Sequence, residues 1–384
     1  MVSDDLADLR DDPRDDLRDA PLTEDVLHEQ TRALPIVVTG LTIRPGMDLP
    51  IHDDEARAAA EAHLSNLEIP GSGLGLLSRI VVFAAGTQSR GVPTPWAQPH
   101  MLLLHGSHEG DVAAGDDAAE SAQIAAATQR GEGSLGMLVA EQGVNVKVID
   151  TPAAGDIAYG RAAAPEVVDS MLKEGWRLVD EAVDSGADLI IVGSCGSGAD
   201  ATAATVVSKV TGAEIAGLLG RVVGPDGTVD DSAWMLRCAA ARDALHRTRN
   251  SDLNADTLLA ELGGPDLALI AGVIVGATAR RTPVMLDGPV GTAAALLARD
   301  LGSQSRLWST LPDHGGHPTT KAAADVLGLT PLLDLKAGLG EGSVSLLALP
   351  LLRSALRLPA PPPPRGSGEH TAETPSPFGY RMPP

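Results

Sequence analysis

Between residues 35 and 358 the chain alternates short apolar, β-branched runs with longer stretches rich in alanine and leucine. That rhythm limits the fold more than any single motif. Runs at 80–83, 101–104, 144–149, 189–192 and 283–286 read as strands. Stretches at 165–185, 199–210, 231–247, 266–279 and 291–301 read as helices, with a further apolar helix at 344–356. Strands joined through helices run parallel, and their crossovers are right-handed because a twisted strand feeding a right-handed helix packs back onto the sheet only that way. The predicted fold is therefore α/β, a parallel sheet with helices on both faces. Ligands of such sheets collect beyond the carboxyl ends of the strands, so those loops are where chemistry is expected.

Composition narrows the function. Aromatic residues make up only 2% of the chain, so the core is built from aliphatic side chains and base-stacking platforms for nucleic acid are not expected. Lys and Arg number 29 against 51 Asp and Glu, a net charge of -22 that repels phosphate backbones. An anionic ligand must therefore be held locally, by backbone amides or a few placed cations. Two cysteines, Cys195 and Cys238, make neither a disulfide scaffold nor a cysteine-based zinc site and fit a reducing cytoplasm. The start of the chain is acidic rather than basic and apolar, unlike a secretory signal. No apolar stretch is expected to reach the roughly 18 residues that span a bilayer; residues 268–279 read as a buried helix.

Residues 1–34 are expected to form an acidic disordered arm, since the first 20 residues hold eight Asp and three Arg. Residues 359–384 read as a proline-rich disordered tail, leaving 35–358 as the folded body, without internal repeats.

Several loops could carry chemistry. After the run at 189–192 comes Gly193-Ser194-Cys195-Gly196-Ser197-Gly198-Ala199-Asp200-Ala201. Glycines let the backbone approach a ligand, and the following helix offers free N–H groups, which suits a phosphate. A plain tight turn explains the same residues. So does a dinucleotide site of the form Gly196-x-Gly198-x-x-Ala201, although Glu214, at the right distance, follows no strand. Gly263-Gly264 precedes Pro265 and Asp266 as ordinary helix-start chemistry. Asp287-Gly288, after the run at 283–286, is either a capping turn or part of a site. His105, His108, Glu109 and Asp111, and the pair His314 and His317, have spacings like metal ligands, but neither set is a zinc signature, and surface turns explain them better. Glu341, between Gly340 and Gly342 and just before an apolar helix, is either a helix-dipole partner or a general base.

The order of motifs from residue 263 to residue 356 closely resembles the nicotinate-nucleotide:dimethylbenzimidazole phosphoribosyltransferases. The series runs through Gly263-Gly264, Leu286-Asp287-Gly288, Thr292-Ala293-Ala294-Ala295-Leu296, Gly316-His317, Leu327-Gly328-Leu329 and Pro331-Leu332-Leu333-Asp334-Leu335 to Leu339-Gly340-Glu341-Gly342. Earlier in the chain the likeness is looser. Pro70-Gly71-Ser72-Gly73-Leu74-Gly75 is similar to the family's proline-glycine-serine-leucine-glycine loop with one insertion. His108 sits at the family's histidine turn with Ser107 and Glu109 as flanks, and 131–140 and 148–150 track a glycine-rich helix and strand. The resemblance spans residues 52 to 357.

It implies a Rossmann-like sheet with a smaller helical domain built from N- and C-terminal segments. It also implies a cytoplasmic homodimer that binds small molecules, with no nucleic acid, membrane, cofactor or metal. The implied reaction moves phosphoribose from nicotinate mononucleotide to 5,6-dimethylbenzimidazole for the cobalamin lower ligand, with Glu341 as base. Ser72, Gly73 and Gly75 would line the base pocket, and Gly196, Gly198, Arg237, Gly263 and Gly264 would hold the phosphoribosyl group. His108, Asp287 and Gly340 complete the expected substrate contacts.

The chain also departs from that pattern. Where the family reads Glu-Met-Gly-Ile-Gly-Asn-Thr-Thr, this chain has Ser194 to Ala201, with Asp200 where a phosphate is expected. Arg237 replaces a lysine and keeps the cation. No counterpart stands for the glutamine that helps hold the benzimidazole. A noncatalytic or altered-specificity paralogue that binds a nucleotide or benzimidazole is the alternative; an oxidoreductase would rest on the Gly196–Ala201 pattern alone.

Overall fold

The computed structural model describes residues 41–67, 73–224, 227–337 and 341–359. Almost all of the expected arm and tail lies outside these residues, as do Ser72 and Gly340. From Ile43 onward the described residues form one compact unit.

Five strands build the sheet: β1 (Pro99–Ser107), β2 (Asn145–Asp150), β3 (Leu189–Ser197), β4 (Val284–Met285) and β5 (Ser309–Thr310). Two helices, α1 (Asp54–Ser65) and α2 (Ser78–Gln88), precede it. Between β1 and β3 lie α3 (Ala118–Gln129), α4 (Gly133–Glu141) and α5 (Pro165–Asp184). Beyond β3 come α6 (Ala199–Thr211), α7 (Asp231–Arg247), α8 (Gly264–Ala279), α9 (Gly288–Leu301), α10 (Pro318–Leu327) and α11 (Ser343–Arg357).

Every pairing is parallel and the spatial order is β2-β1-β3-β4-β5. The chain moves from β1 outward to β2, then returns to the other side of β1 for β3. The direction of winding reverses between β1 and β3, and the crevice beyond their carboxyl ends is where an α/β sheet receives its ligand. The β1–β3 register runs from Pro99 opposite Leu189 to Ser107 opposite Ser197, so the two strands end side by side.

Alternate residues of β3 face opposite sides. On one face Leu189, Ile191 and Cys195 join Met101 and Leu103 of β1, Ile80, Val81 and Ala84 of α2, and Leu346, Leu349 and Leu352 of α11. Helices from both ends of the chain thus share this core, within the same compact unit as the sheet.

Residues 80–83 belong to α2 rather than to a strand. Ile80, Val81 and Val82 favour a strand locally, but helical spacing lets Ile80, Val81, Ala84 and Ala85 bury together, and tertiary packing decides such short apolar runs. The expected strand at 283–286 shrinks to two residues. The apolar helical stretch is also longer than expected: Ala255–Ala279 has the length and composition to cross a membrane, although 94% of its apolar window is buried inside the protein.

Candidate active site

At the carboxyl end of β1 the imidazole of His108 is fully enclosed. Its Nε2 lies 3.0 Å from Asp266 Oδ2 and its Nδ1 lies 3.1 Å from Thr202 Oγ1. The other Asp266 oxygen accepts the Leu267 N–H at 2.9 Å. His108 therefore ties β1 to the first turns of α6 and α8, and both ring nitrogens are engaged by protein. Gly198 and Gly264 crowd the same ring: a Cβ on Gly198 would lie 2.8 Å from His108 Cβ, and one on Gly264 would lie 3.2 Å from Cε1. Gly196 lies against its β1 neighbour Gly106, and Gly263 is buried beside Leu259.

The Gly198 N–H, which begins α6, donates to Asp116 Oδ2 at 2.7 Å. Arg237 donates through Nη2 to the other Asp116 oxygen and through Nε to the Ala114 carbonyl at 2.7 Å. The expected phosphate partners Gly198 and Arg237 do come together, but around a carboxylate of the chain itself. Asp116 was not foreseen. Its only sequence signal is a polar turn, Gly115-Asp116-Asp117, far from Arg237 along the chain.

Glu341 and Gly342 form the left-handed turn into α11, with φ of 55° and 86°. The turn rests on the middle of β3, where a Cβ on Gly193 would lie 2.8 Å from the Glu341 carbonyl carbon. Asp287, at the end of β4, accepts the Ser345 N–H at 2.9 Å, so it satisfies a free amide of α11 and fixes the turn. The carboxylate of Asp287 thus serves as a cap that positions Glu341.

Burial raises the Glu341 carboxyl to about 7, helped by repulsion from Asp200 and then Glu120. Burial likewise raises Asp287 to about 7, against hydrogen bonds from Ser345. Asp200 is exposed on the side it turns to solvent. The surrounding protein raises its pKa and Asp116 adds to this, while His317 and Arg237 oppose it. Burial lowers the pKa of His317, with Asp200 acting in the other direction. Asp200, Asp287, Asp313 and His317 border one cavity of about 80 Å³. Among the described residues no group of three or more His, Cys, Asp or Glu could hold a metal ion.

Gly73 and Gly75 lie elsewhere. They line a cleft of about 690 Å³ with Leu64, Val82, Phe83 and Arg306, which shares no lining residue with the acidic cavity.

The Asp287 pKa has a consequence for stability. The acid form is favoured in the folded state, so between its ordinary value near 4 and about 7 the native protein holds more protons than the unfolded chain. Stability therefore falls as pH rises through that window. Asp287→Asn keeps an acceptor for Ser345 and should flatten the slope, as read from urea unfolding between pH 4.5 and pH 8; an unchanged slope would show that Asp287 is not its source.

A parallel sheet with a switch between β1 and β3, glycine turns at the strand ends and a half-buried carboxylate above the sheet define an α/β protein with its candidate site at the carboxyl ends of the strands. The phosphoribosyltransferase family DBI_PRT matches residues 49–360. The nicotinate-nucleotide–dimethylbenzimidazole phosphoribosyltransferase of Corynebacterium glutamicum is 36% identical over 312 residues, covering 77% of this chain and 86% of that protein. Its namesake in Mycobacterium avium is 34% identical over 324 residues, covering 79% and 91%. The crystal structure of the Thermus thermophilus enzyme superposes with a TM-score of 0.73 at 25% identity, over 80% of this chain and 96% of that one. The chain belongs to the nicotinate-nucleotide–dimethylbenzimidazole phosphoribosyltransferase family.

Proposed function

We propose that the protein transfers phosphoribose from nicotinate mononucleotide to 5,6-dimethylbenzimidazole or a related azole, releasing nicotinate and forming α-ribazole phosphate. The observation that carries this reading is Glu341, held over the sheet with its pKa raised to about 7. A base is strongest at neutral pH when its pKa lies near 7, and this carboxylate has been moved there.

The chemistry needs little else. One azole nitrogen attacks C1′ of the ribose on the face opposite the pyridinium. The C1′–nitrogen bond breaks, and its electron pair neutralises the ring nitrogen as nicotinate leaves. The proton on the second azole nitrogen passes to Glu341. Asp287 takes no part in bond making; it holds the turn from which Glu341 acts.

Incubation with nicotinate mononucleotide and 5,6-dimethylbenzimidazole, followed by chromatography of α-ribazole phosphate, tests the reading. The changes at Ser194, Ala199 and Asp200 also suit a relative that binds benzimidazole without turnover, and a bound azole with no product would select that alternative. Kinship further supports a cytoplasmic homodimer, a self-paired patch being the usual closed assembly. Light scattering at micromolar concentration should give twice the chain mass, and a monomer would count against the dimer.

A further inference from the structure

His105, three residues before the enclosed His108, stands at the carboxyl end of β1 in a different setting. Its Nδ1 lies 2.9 Å from Asp150 Oδ1 of β2, and its Nε2 has no partner among the described residues. The strand registers set Asp150 on one side of it and Cys195 on the other, a row across three neighbouring strands. Met101 and Leu103 precede His105 at alternate positions of β1, and Ile191 and Gly193 precede Cys195 in β3, so the row continues one face of the sheet. The Glu341 turn rests on that same face, where a Cβ on Gly193 would lie 2.8 Å from the Glu341 carbonyl carbon. Two residues of strand, about 6.6 Å, separate Gly193 from Cys195, the length scale of a fused bicyclic ring.

Between Glu341 and His105 the surface is apolar. The Cys195 thiol is pushed up to about 12 by burial, then by Glu341 and Asp150, so it stays neutral and behaves as a small hydrophobe. Helix α3 crosses these strands, and its Ile124 packs against the same core. His105 is 23% exposed and Glu341 is half-buried, so both remain within reach of a ligand. Stability does not account for the histidine–aspartate pair, because Asp150 is 84% exposed and exposed pairs contribute little. What the pair does is fix the ring. An ionised carboxylate only accepts, so Nδ1 carries the proton and the neutral imidazole presents a lone pair at Nε2.

We infer that His105, oriented by Asp150, reads the far edge of the acceptor ring, so that the protein prefers an azole whose distal ring carries a hydroxyl donor to the dimethylated ring. The inference rests on the glycosyl-transfer reading above, with Glu341 at the N–H edge of the same ring. A hydroxyl on the distal ring donates to Nε2. Methyl groups in its place cover that nitrogen and leave it unpaired, and a site built to bond a hydroxyl discriminates against analogues that lack it.

The test compares kcat/KM of the intact protein for 5-hydroxybenzimidazole, 5-methoxybenzimidazole and 5,6-dimethylbenzimidazole, with nicotinate mononucleotide as donor. The methoxy ring keeps the oxygen and loses the donor. The hydroxy azole is expected to exceed both others at least tenfold; parity with either overturns the inference. His105→Leu should lower the hydroxy-to-methoxy ratio at least tenfold, and Asp150→Ala, which releases the ring, should lower it in part. A merely structural His105 would weaken all three azoles together, and an unshifted ratio in the folded variant overturns the role given to it. Should His105→Leu fail to fold, the wild-type ratios decide alone. Turnover of all three azoles without preference removes only this inference, whereas turnover of none removes the transfer reading and the inference with it.

Discussion

Glu341→Gln should lower turnover with 5,6-dimethylbenzimidazole by about 10²–10⁴, the usual cost of removing a general base. The amide preserves the size of the side chain and the left-handed turn, but it takes up no proton. Substrate binding should therefore persist while kcat falls. In the wild type, kcat should rise with pH through about 7, where the carboxylate ionises, and level off above it. The variant should lose that rise. An azole with a more acidic N–H needs less help and should suffer less from the substitution. The other role open to a carboxylate beside α11 is a partner of the helix dipole. In that case stability would drop by about 0.3–1 kcal/mol and turnover would hardly change. Equal pH–rate profiles for both proteins would remove the mechanism.

The largest effect on stability should come from His108→Phe. The substitution leaves Asp266 Oδ2 and Thr202 Oγ1 enclosed without their partner. A buried carboxylate stripped of its partner costs about 3–5 kcal/mol, because the remaining group keeps its desolvation penalty and loses its compensation. Urea unfolding should show a loss of that size, and His108→Gln, which retains a donor, should recover part of it. If His108 instead contacted substrate and left the fold untouched, stability would hold and KM alone would rise.

The two experiments probe residues that look alike in the sequence, a histidine and a glutamate in turns flanked by small or polar residues. Burial separates them. His108 has both nitrogens engaged by α6 and α8, whereas Glu341 has no cation among the described residues to hold its pKa down. Position in the chain carries no information about this, because Asp266 and Thr202 are 158 and 94 residues away from His108.

Sequence alone determined the α/β class, the parallel order of helix and strand, and the family. Hydrophobic periodicity and glycine punctuation are local, and the helices α5, α6 and α7 follow them nearly residue for residue. Sequence likewise pointed to the turns at Gly198 and Asp287, where apolar runs stop, and to Glu341, between two glycines before an apolar helix. Tertiary structure decided what those turns do. It made 80–83 helical, since a shared core with α11 outweighs β-branched preference. It assigned Asp287 to the first turn of α11, and it set Gly73 and Gly75 on a different cleft from the acidic cavity. Above all it brought Asp116 onto Arg237, 121 residues apart. The reason is common to all of these: a charge is defined by what lies within a few ångströms of it, and chain folding, not spacing along the chain, selects those neighbours.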